Sequence, residues 1–239
     1  GYNLVDTAYC KAQGITVCNV RGYSTQSVAE HTLMQMLTLR RNLPTLQQKV
    51  VAGAWQNAPH FCLFGDALCD VEGATLGIVG RGATGQRVAQ LAQAFGMRVL
   101  FAEHKQAQRI RDGYTSFADV LAQADVISLH CPLNAYTHHL ISTAELAQMQ
   151  AHAILINNAR GGIVDEAALA HALHAEQIAG AALDVLTTEP PRAGNVLLDS
   201  PHPNLLITPH VAWRSEAAMR NLATQLVQVI DAFLADKPI

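Results

Sequence analysis

Between residues 75 and 210 the chain alternates two spacings of apolar side chains. Short, nearly continuous apolar runs occur at 75–80, 98–103, 125–132, 153–158, 178–185 and 204–210. Between several of them the apolar positions recur at helical spacing. In "TGQRVAQLAQAFG" they fall at Val88, Leu91, Ala92 and Phe95, and Gly96 stops the pattern. Further helices are expected at 117–123, 142–149 and 165–176, the second opened by a capping box of Ser142 with Glu145. Unbroken apolar strands alternating with helices predict a parallel sheet covered on both faces, a doubly wound α/β fold. Two helices flank this unit. Residues 25–41 are apolar on more than one side, and 215–235 form an amphipathic helix. Residues 53–72 read as an irregular loop leading into the first strand of the sheet.

Composition narrows the function classes. Half of the 239 residues are hydrophobic, enough for a sizeable core. A net charge of −3 gives no basic footprint for nucleic acid. No run approaches the length of a membrane span, so no membrane partner is expected. The five cysteines form no CxxC pair, which suits reduced thiols and a cytoplasmic location. His138–His139 has no obvious partner ligands, so no metal is expected. The sequence opens on Gly1 rather than Met and reads as a fragment or a processed product.

"GRGATG" (80–85) matches G-x-G-x-x-G between a predicted strand and a predicted helix. By itself the pattern is weak and also reads as a packing turn. Here Glu103 ends the next strand, 18 residues past the last glycine. Gly80 suits a tight turn, Gly82 a close backbone approach to a pyrophosphate, and Gly85 close packing of helix on strand. Ala83 and Thr84 open the helix, whose free N–H groups attract phosphate. Glu103 is expected to accept hydrogen bonds from the adenosine ribose and to favour NAD over NADP, a preference softened by His104 and Lys105.

Three polar residues follow predicted strands at their carboxyl ends: Arg160 after 153–158, Glu189 after 178–185, and His210 after 204–208. Ligand crevices of open α/β sheets form at that edge. Taken singly, Arg160 also reads as a surface ion pair, Glu189 as a solvated loop charge and His210 as a half-buried structural histidine. Together they suit hydride transfer. A histidine protonates a carbonyl oxygen, a carboxylate orients the ring, and an arginine holds a substrate carboxylate.

Seven segments carry a resemblance: "VCNVRGYSTQSVAEHT", "GATLGIVGRGATGQRVA", "FGMRVLFAEHK", "ISLHCPLNAYTHHLI", "NNARGGIVDEAAL", "GAALDVLTTEPP" and "LLITPHVAWRS". They span essentially the whole chain, and the chain resembles the D-isomer-specific 2-hydroxyacid dehydrogenase family. "HVAW" and "AEHK" look most like its glycerate dehydrogenase or hydroxypyruvate reductase branch. The resemblance implies a Rossmann dinucleotide-binding domain over 21–214, with 1–20 and 215–239 as remnants of a second, flavodoxin-like substrate domain whose earlier strands are missing. It places the catalytic arginine, glutamate and histidine on Arg160, Glu189 and His210, and the carboxamide-binding aspartate on Asp184. His130, Cys131, Pro132 and Ala159 complete the expected NAD-binding set. The expected reaction is hydride transfer between NAD(H) and a small 2-keto or 2-hydroxy acid of the hydroxypyruvate, glyoxylate or D-glycerate class.

Arg81 stands where the family usually has an aliphatic residue, and Arg214 where it more often has a small one. A corepressor branch shares the scaffold and keeps a second reading open, that of a non-catalytic NAD-sensing interaction module. Formate dehydrogenases put glutamine where Glu189 stands. Val28, Leu33, Met34, Met36, Leu37 and Leu39 cover too wide an arc for one core face, so the 25–41 helix is expected in a homodimer interface.

Overall fold

The computed structural model describes residues 5–65 and 67–235. Six parallel strands form one sheet: β1 (Thr75–Val79), β2 (Arg98–Ala102), β3 (Val126–Leu129), β4 (Ile154–Asn157), β5 (Gly180–Leu183) and β6 (Leu205–Ile207), in the order β2-β1-β3-β4-β5-β6. Every neighbouring pair is parallel. The strand order reverses between β1 and β3, so a crevice opens there at the carboxyl edge, with Gly80 on one side and His130 on the other.

All residues of β1, β3, β4 and β5 are buried, which explains why their sequences are continuous apolar runs rather than alternating ones. Each sheet face has its own core. On one face α5 (Phe117–Gln123) and α7 (Glu166–His174) bring Val120, Leu121, Leu169 and Leu173 against Ile127, Leu129 and Leu155. On the other face α2 (Thr25–Arg40) and α4 (Ala83–Ala94) bring Leu33, Met36, Val88 and Ala92 against Leu76, Ile78, Val126 and Ile156.

The helices expected at 25–41, 84–96, 117–123 and 165–176 are present within a residue or two of those bounds. The stretch 142–149 contains only one helical turn, α6 (Thr143–Leu146), although its capping box forms as read. The strands are shorter than the apolar runs, because the runs continue past the last ladder bond into the site loops. Three helices lacked a readable signal. In α1 (Thr7–Ala12) no residue is buried, so no apolar face marks it; Asp6 caps it through the Tyr9 N–H. α3 (Leu43–Val51) follows Asn42, whose φ of 50° ends α2 and lets a new helix begin. α8 (Val196–Asp199) is a single turn held by the Asn195 side chain.

α2 lies across the sheet, with Ala29, Thr32, Leu33, Gln35 and Met36 buried against the chain's own core. Its apolar arc is therefore largely consumed within the chain, and Met34 is left 48% exposed. Beyond it, Val51, Trp55, Phe61 and Phe64 stand in solvent. The closing helix, α9 (Glu216–Leu234), buries only Ala218 and exposes Leu226, Val227, Ile230 and Phe233. Of the two flanking segments read as domain remnants, residues 1–4 and 236–239 lie outside the described residues. Among the described residues no helix is long and apolar enough to cross a membrane.

Candidate active site

The cleft along the carboxyl edge holds three cavities with shared walls. The first, about 530 Å³, lies against Gly80, Arg81, Glu103 and Arg111 and is bounded by Cys131 and Pro132. The second, about 570 Å³, shares Cys131 and Pro132 and adds Thr84, His130 and Ala159. The third, about 680 Å³, shares Asn158 and Arg160 with the second and adds Asp184, Glu189 and His210. The predicted site residues other than Gly82, Ala83 and Gly85 thus line one elongated trough.

The glycine turn forms because only glycine fits it. Gly80 has φ +103°, and a Cβ on it would lie 2.5 Å from the His130 carbonyl oxygen. A Cβ on Gly85 would lie 2.1 Å from the Gly80 carbonyl oxygen, so this glycine sets how closely α4 sits on β1. Gly82 is the N-cap of α4 and has open space beside it and no side-chain cap. The first-turn N–H groups of α4 therefore face the cleft as a ready anion site. This cradle fits a dinucleotide pyrophosphate.

Glu103 is buried at the end of β2, but its carboxylate is already engaged. Oε1 accepts from His104 N (2.8 Å) and Arg111 Nη2 (2.6 Å). Oε2 accepts from Arg111 N (3.2 Å) and Nε (2.6 Å). The Arg111 hydrogen bonds, opposed by burial, pull the Glu103 carboxyl down to about 2. The carboxylate expected to receive the ribose hydroxyls thus takes three of its four hydrogen bonds from Arg111, eight residues on in an irregular loop.

His130 and Cys131 follow β3. The His130 ring contacts Ser128 Oγ at 2.8 Å, and burial lowers its pKa to about 4, so it is neutral. Burial raises the Cys131 thiol to about 11, so it lines the cleft as a neutral, weakly reactive group.

Arg160 sits on a turn shaped by Asn157. The Asn157 amide donates to the Arg160 carbonyl (2.9 Å), and its oxygen accepts from Ala159 N (3.1 Å). Arg160 Nη1 donates to the Ala159 carbonyl at 2.7 Å. Gly161 presses against the next loop: a Cβ there would lie 1.9 Å from the Leu186 carbonyl oxygen. That second loop carries Glu189, whose Oε1 accepts from Leu186 N at 2.9 Å. Thr187 fastens the loop to Glu166 at the start of α7.

His210 Nδ1 lies 2.6 Å from Glu189 Oε2. The histidine backbone has φ +53°, a left-handed conformation that costs about 1–3 kcal/mol for a non-glycine residue. Two contacts hold it: His210 N donates to the Asp184 carbonyl (2.9 Å), and Trp213 Nε1 donates to the His210 carbonyl (3.1 Å). Trp213 packs edge-on to Tyr23, with ring centroids 6.2 Å apart. Asp184 is 1% exposed. Its carboxylate accepts from Thr208 Oγ1 (2.5 Å), Val211 N (2.9 Å) and Ala212 N (2.7 Å). In this geometry Asp184 organises the turn that presents His210.

Helix α2 braces these loops from below. Ser27 Oγ donates to the Ala212 carbonyl, and His31 Nε2 meets Thr208 Oγ1 at 3.1 Å. Asn158 Nδ2 donates to Thr32 Oγ1 (3.0 Å) and Gln35 Oε1 (2.9 Å). Burial lowers the His31 pKa against the attraction of Asp184. Sequence reasoning gave Gly161 room for the turn and for the substrate, and missed the roles of Trp213, Thr208 and the α2 polar residues. The one available signal was that Thr32 and Gln35, three apart, share a helix face that is otherwise apolar.

Comparison with known proteins identifies a family. Residues 33–212 match the family model described as D-isomer specific 2-hydroxyacid dehydrogenase, NAD binding domain. The chain is similar to a glycerate dehydrogenase of Methylorubrum extorquens, 47% identical over 239 residues that cover all of this chain and 74% of the relative. It is similar to a hydroxypyruvate reductase of Blautia hydrogenotrophica, 34% identical over 242 residues, again all of this chain and 74% of the relative. Among solved structures it resembles a D-lactate dehydrogenase from Aquifex aeolicus complexed with NAD and lactic acid, with a TM-score of 0.86 at 32% identity, covering 99% of this chain and 74% of that one.

Proposed function

The chain belongs to the D-isomer specific 2-hydroxyacid dehydrogenase family, NAD-dependent oxidoreductases of small 2-hydroxy and 2-keto acids, and we propose that it reduces hydroxypyruvate or glyoxylate with Arg160, Glu189 and His210 as its catalytic residues. The carrying observation is the 2.6 Å contact between His210 and Glu189 in the same cavity as Arg160. NAD(H) supplies or takes up the hydride when bound. The residues suited to hold it are Gly80, Gly82, Ala83, Thr84 and Gly85 at the pyrophosphate, with His130, Cys131, Pro132 and Ala159 along the middle of the trough.

Glu189 accepts the Nδ1 proton of His210, which fixes the ring and leaves Nε2 to give its proton to the carbonyl oxygen of the substrate. The Glu189 charge stabilises the imidazolium before transfer. Arg160 pairs with the substrate carboxylate and polarises the adjacent carbonyl. Asp184 organises the His210 turn through three accepted hydrogen bonds, and its Oδ2, which accepts only from Ala212 N, keeps an acceptor position for the nicotinamide carboxamide. The test is NADH oxidation on mixing with hydroxypyruvate, glyoxylate or pyruvate. Turnover is expected on hydroxypyruvate or glyoxylate at a kcat/KM well above that on pyruvate. A protein that binds NADH and turns over none of the three overturns the reading and favours an NAD-sensing module.

The dinucleotide-binding unit is assigned to 21–214, with α1 and α9 at its margin assigned to a substrate domain; the exposed apolar face of α9 supports this. The reduced state of the five cysteines fits a cytoplasmic protein. The protein is expected to be a homodimer, since Met34 on α2 and, later in the chain, Val51, Trp55, Phe61 and Phe64 present apolar side chains to solvent. Light scattering at micromolar concentration should return twice the chain mass, and a monomer mass would refute the dimer.

A further inference from the structure

The cavity at the β2 end of the trough is rich in cations: its walls include Arg81, Lys105 and Arg111. Lys105 Nζ pairs with Glu145 at 2.8 Å, and Arg111 pairs with Glu103, the carboxylate in the wall, at 2.6 Å. A carboxylate offers about four acceptor sites. Glu103 uses four, three of them on Arg111 and one on the His104 N–H. The carboxylate is both neutralised and saturated, so it neither repels an added phosphate strongly nor accepts a ribose hydroxyl while Arg111 stays in place.

Arg111 is built into this position. Its loop folds back onto β2 through Thr115 N to the Phe101 carbonyl and Glu103 N to the Thr115 carbonyl, both 2.8 Å. Its guanidinium lies 4.2 Å from the centre of the Tyr114 ring. Arg81 rests on the Phe101 and Tyr114 rings at 4.6 and 5.3 Å and donates to the Gly113 carbonyl. A guanidinium has five N–H donors. Two of those on Arg111 go to Glu103, leaving three. A rigid fork anchored on a carboxylate, with donors to spare, is suited to a phosphate.

We infer that Arg111 sets the cofactor discrimination of this protein: by neutralising Glu103 and offering its remaining donors, it lets the ribose pocket take the 2′-phosphate of NADP(H) as well as the free ribose of NAD(H). The inference rests on the reading of the trough as a dinucleotide site. The alternative is an Arg111–Glu103 pair that only staples the loop.

Equilibrium binding separates the two. NADH and NADPH are titrated into the unmutated protein, Arg111→Ala and Arg111→Lys, following protein fluorescence, with 5′-AMP and adenosine 2′,5′-bisphosphate as probes of the adenosine end alone. The unmutated protein should bind NADPH within about tenfold of NADH. Arg111→Ala should raise the ratio of the NADPH to the NADH dissociation constant by about ten- to a hundredfold, the worth of charged hydrogen bonds. The bisphosphate should show the same change relative to 5′-AMP. Arg111→Lys, which keeps the charge and loses the fork, should fall between. A staple would move both cofactors alike, so an unchanged ratio in Arg111→Ala overturns the inference. So does an unmutated protein that prefers NADH by more than about tenfold. Failure of the folded, unmutated protein to bind NADH would overturn the trough assignment, and the inference with it.

Discussion

Replacing His210 with asparagine is expected to lower reductive turnover by about 10²–10⁴, the range for a lost general acid. Asparagine is the informative substitution because it shares with histidine a tolerance for the left-handed backbone found here at φ +53°. Alanine would combine loss of the proton donor with a less suitable backbone. Steady-state rates with NADH and the preferred keto acid provide the measurement, with NADH affinity measured separately. Binding should survive, because Gly80 and Thr84 of the pyrophosphate cradle line the first and second cavities and not the one that holds His210. A variant within tenfold of the unmutated rate, with hydride transfer shown by a deuteride isotope effect to limit it, would remove His210 from the mechanism.

Gly161→Ala is expected to cost about a hundredfold in turnover, although Gly161 contacts no reacting atom. The added carbon would lie 1.9 Å from the Leu186 carbonyl oxygen and 2.5 Å from Thr187 N, both main chain. Neither can rotate aside. The turn bearing Arg160 and the loop bearing Glu189 must therefore separate, and a misplacement of about 1 Å in such a constellation can cost 10²-fold. Arg160→Ala removes one contact of the substrate, whereas Gly161→Ala displaces two catalytic groups together. It should lower kcat and raise KM, with a stability loss of about 1–3 kcal/mol from overpacking. Kinetics beside a thermal melt checks it. Unchanged kinetics would mean that the spacing of the two loops is not what aligns the site.

What could be read along the chain differs from what could not by a physical criterion. Gly80 and Gly85 were legible because a local pattern, strand then turn then helix, dictates their conformation. Arg160, Glu189 and His210 were legible as residues following strands, since a parallel sheet gathers all such positions at one edge. The partner of Glu103 was not. Arg111 lies in the loop 103–116, which has no apolar period, and only the fold-back of that loop onto β2 brings it home. The crowding at Gly161 depends on a second loop 25 residues away. Thr32 and Gln35 were masked by their setting, since polar side chains within an apolar helix reveal a purpose only when Asn158 and Thr208 appear opposite them.

The bracing of the site loops by α2 bears on when the site comes into being. Ser27 bonds to Ala212 across 185 positions, His31 to Thr208 across 177, and Asn158 to Thr32 across 126. Contacts of such separation are the slow ones in folding, because the long intervening loop must close first. During synthesis α2 emerges ahead of the sheet and must wait, with Ser27 and His31 unanswered, until β6 and the segment after it leave the ribosome. The nucleotide cradle, made of contacts nearer in sequence, can form well before that. The glycine cradle can therefore precede the completed cluster around His210, whose assembly waits on chain made long after α2.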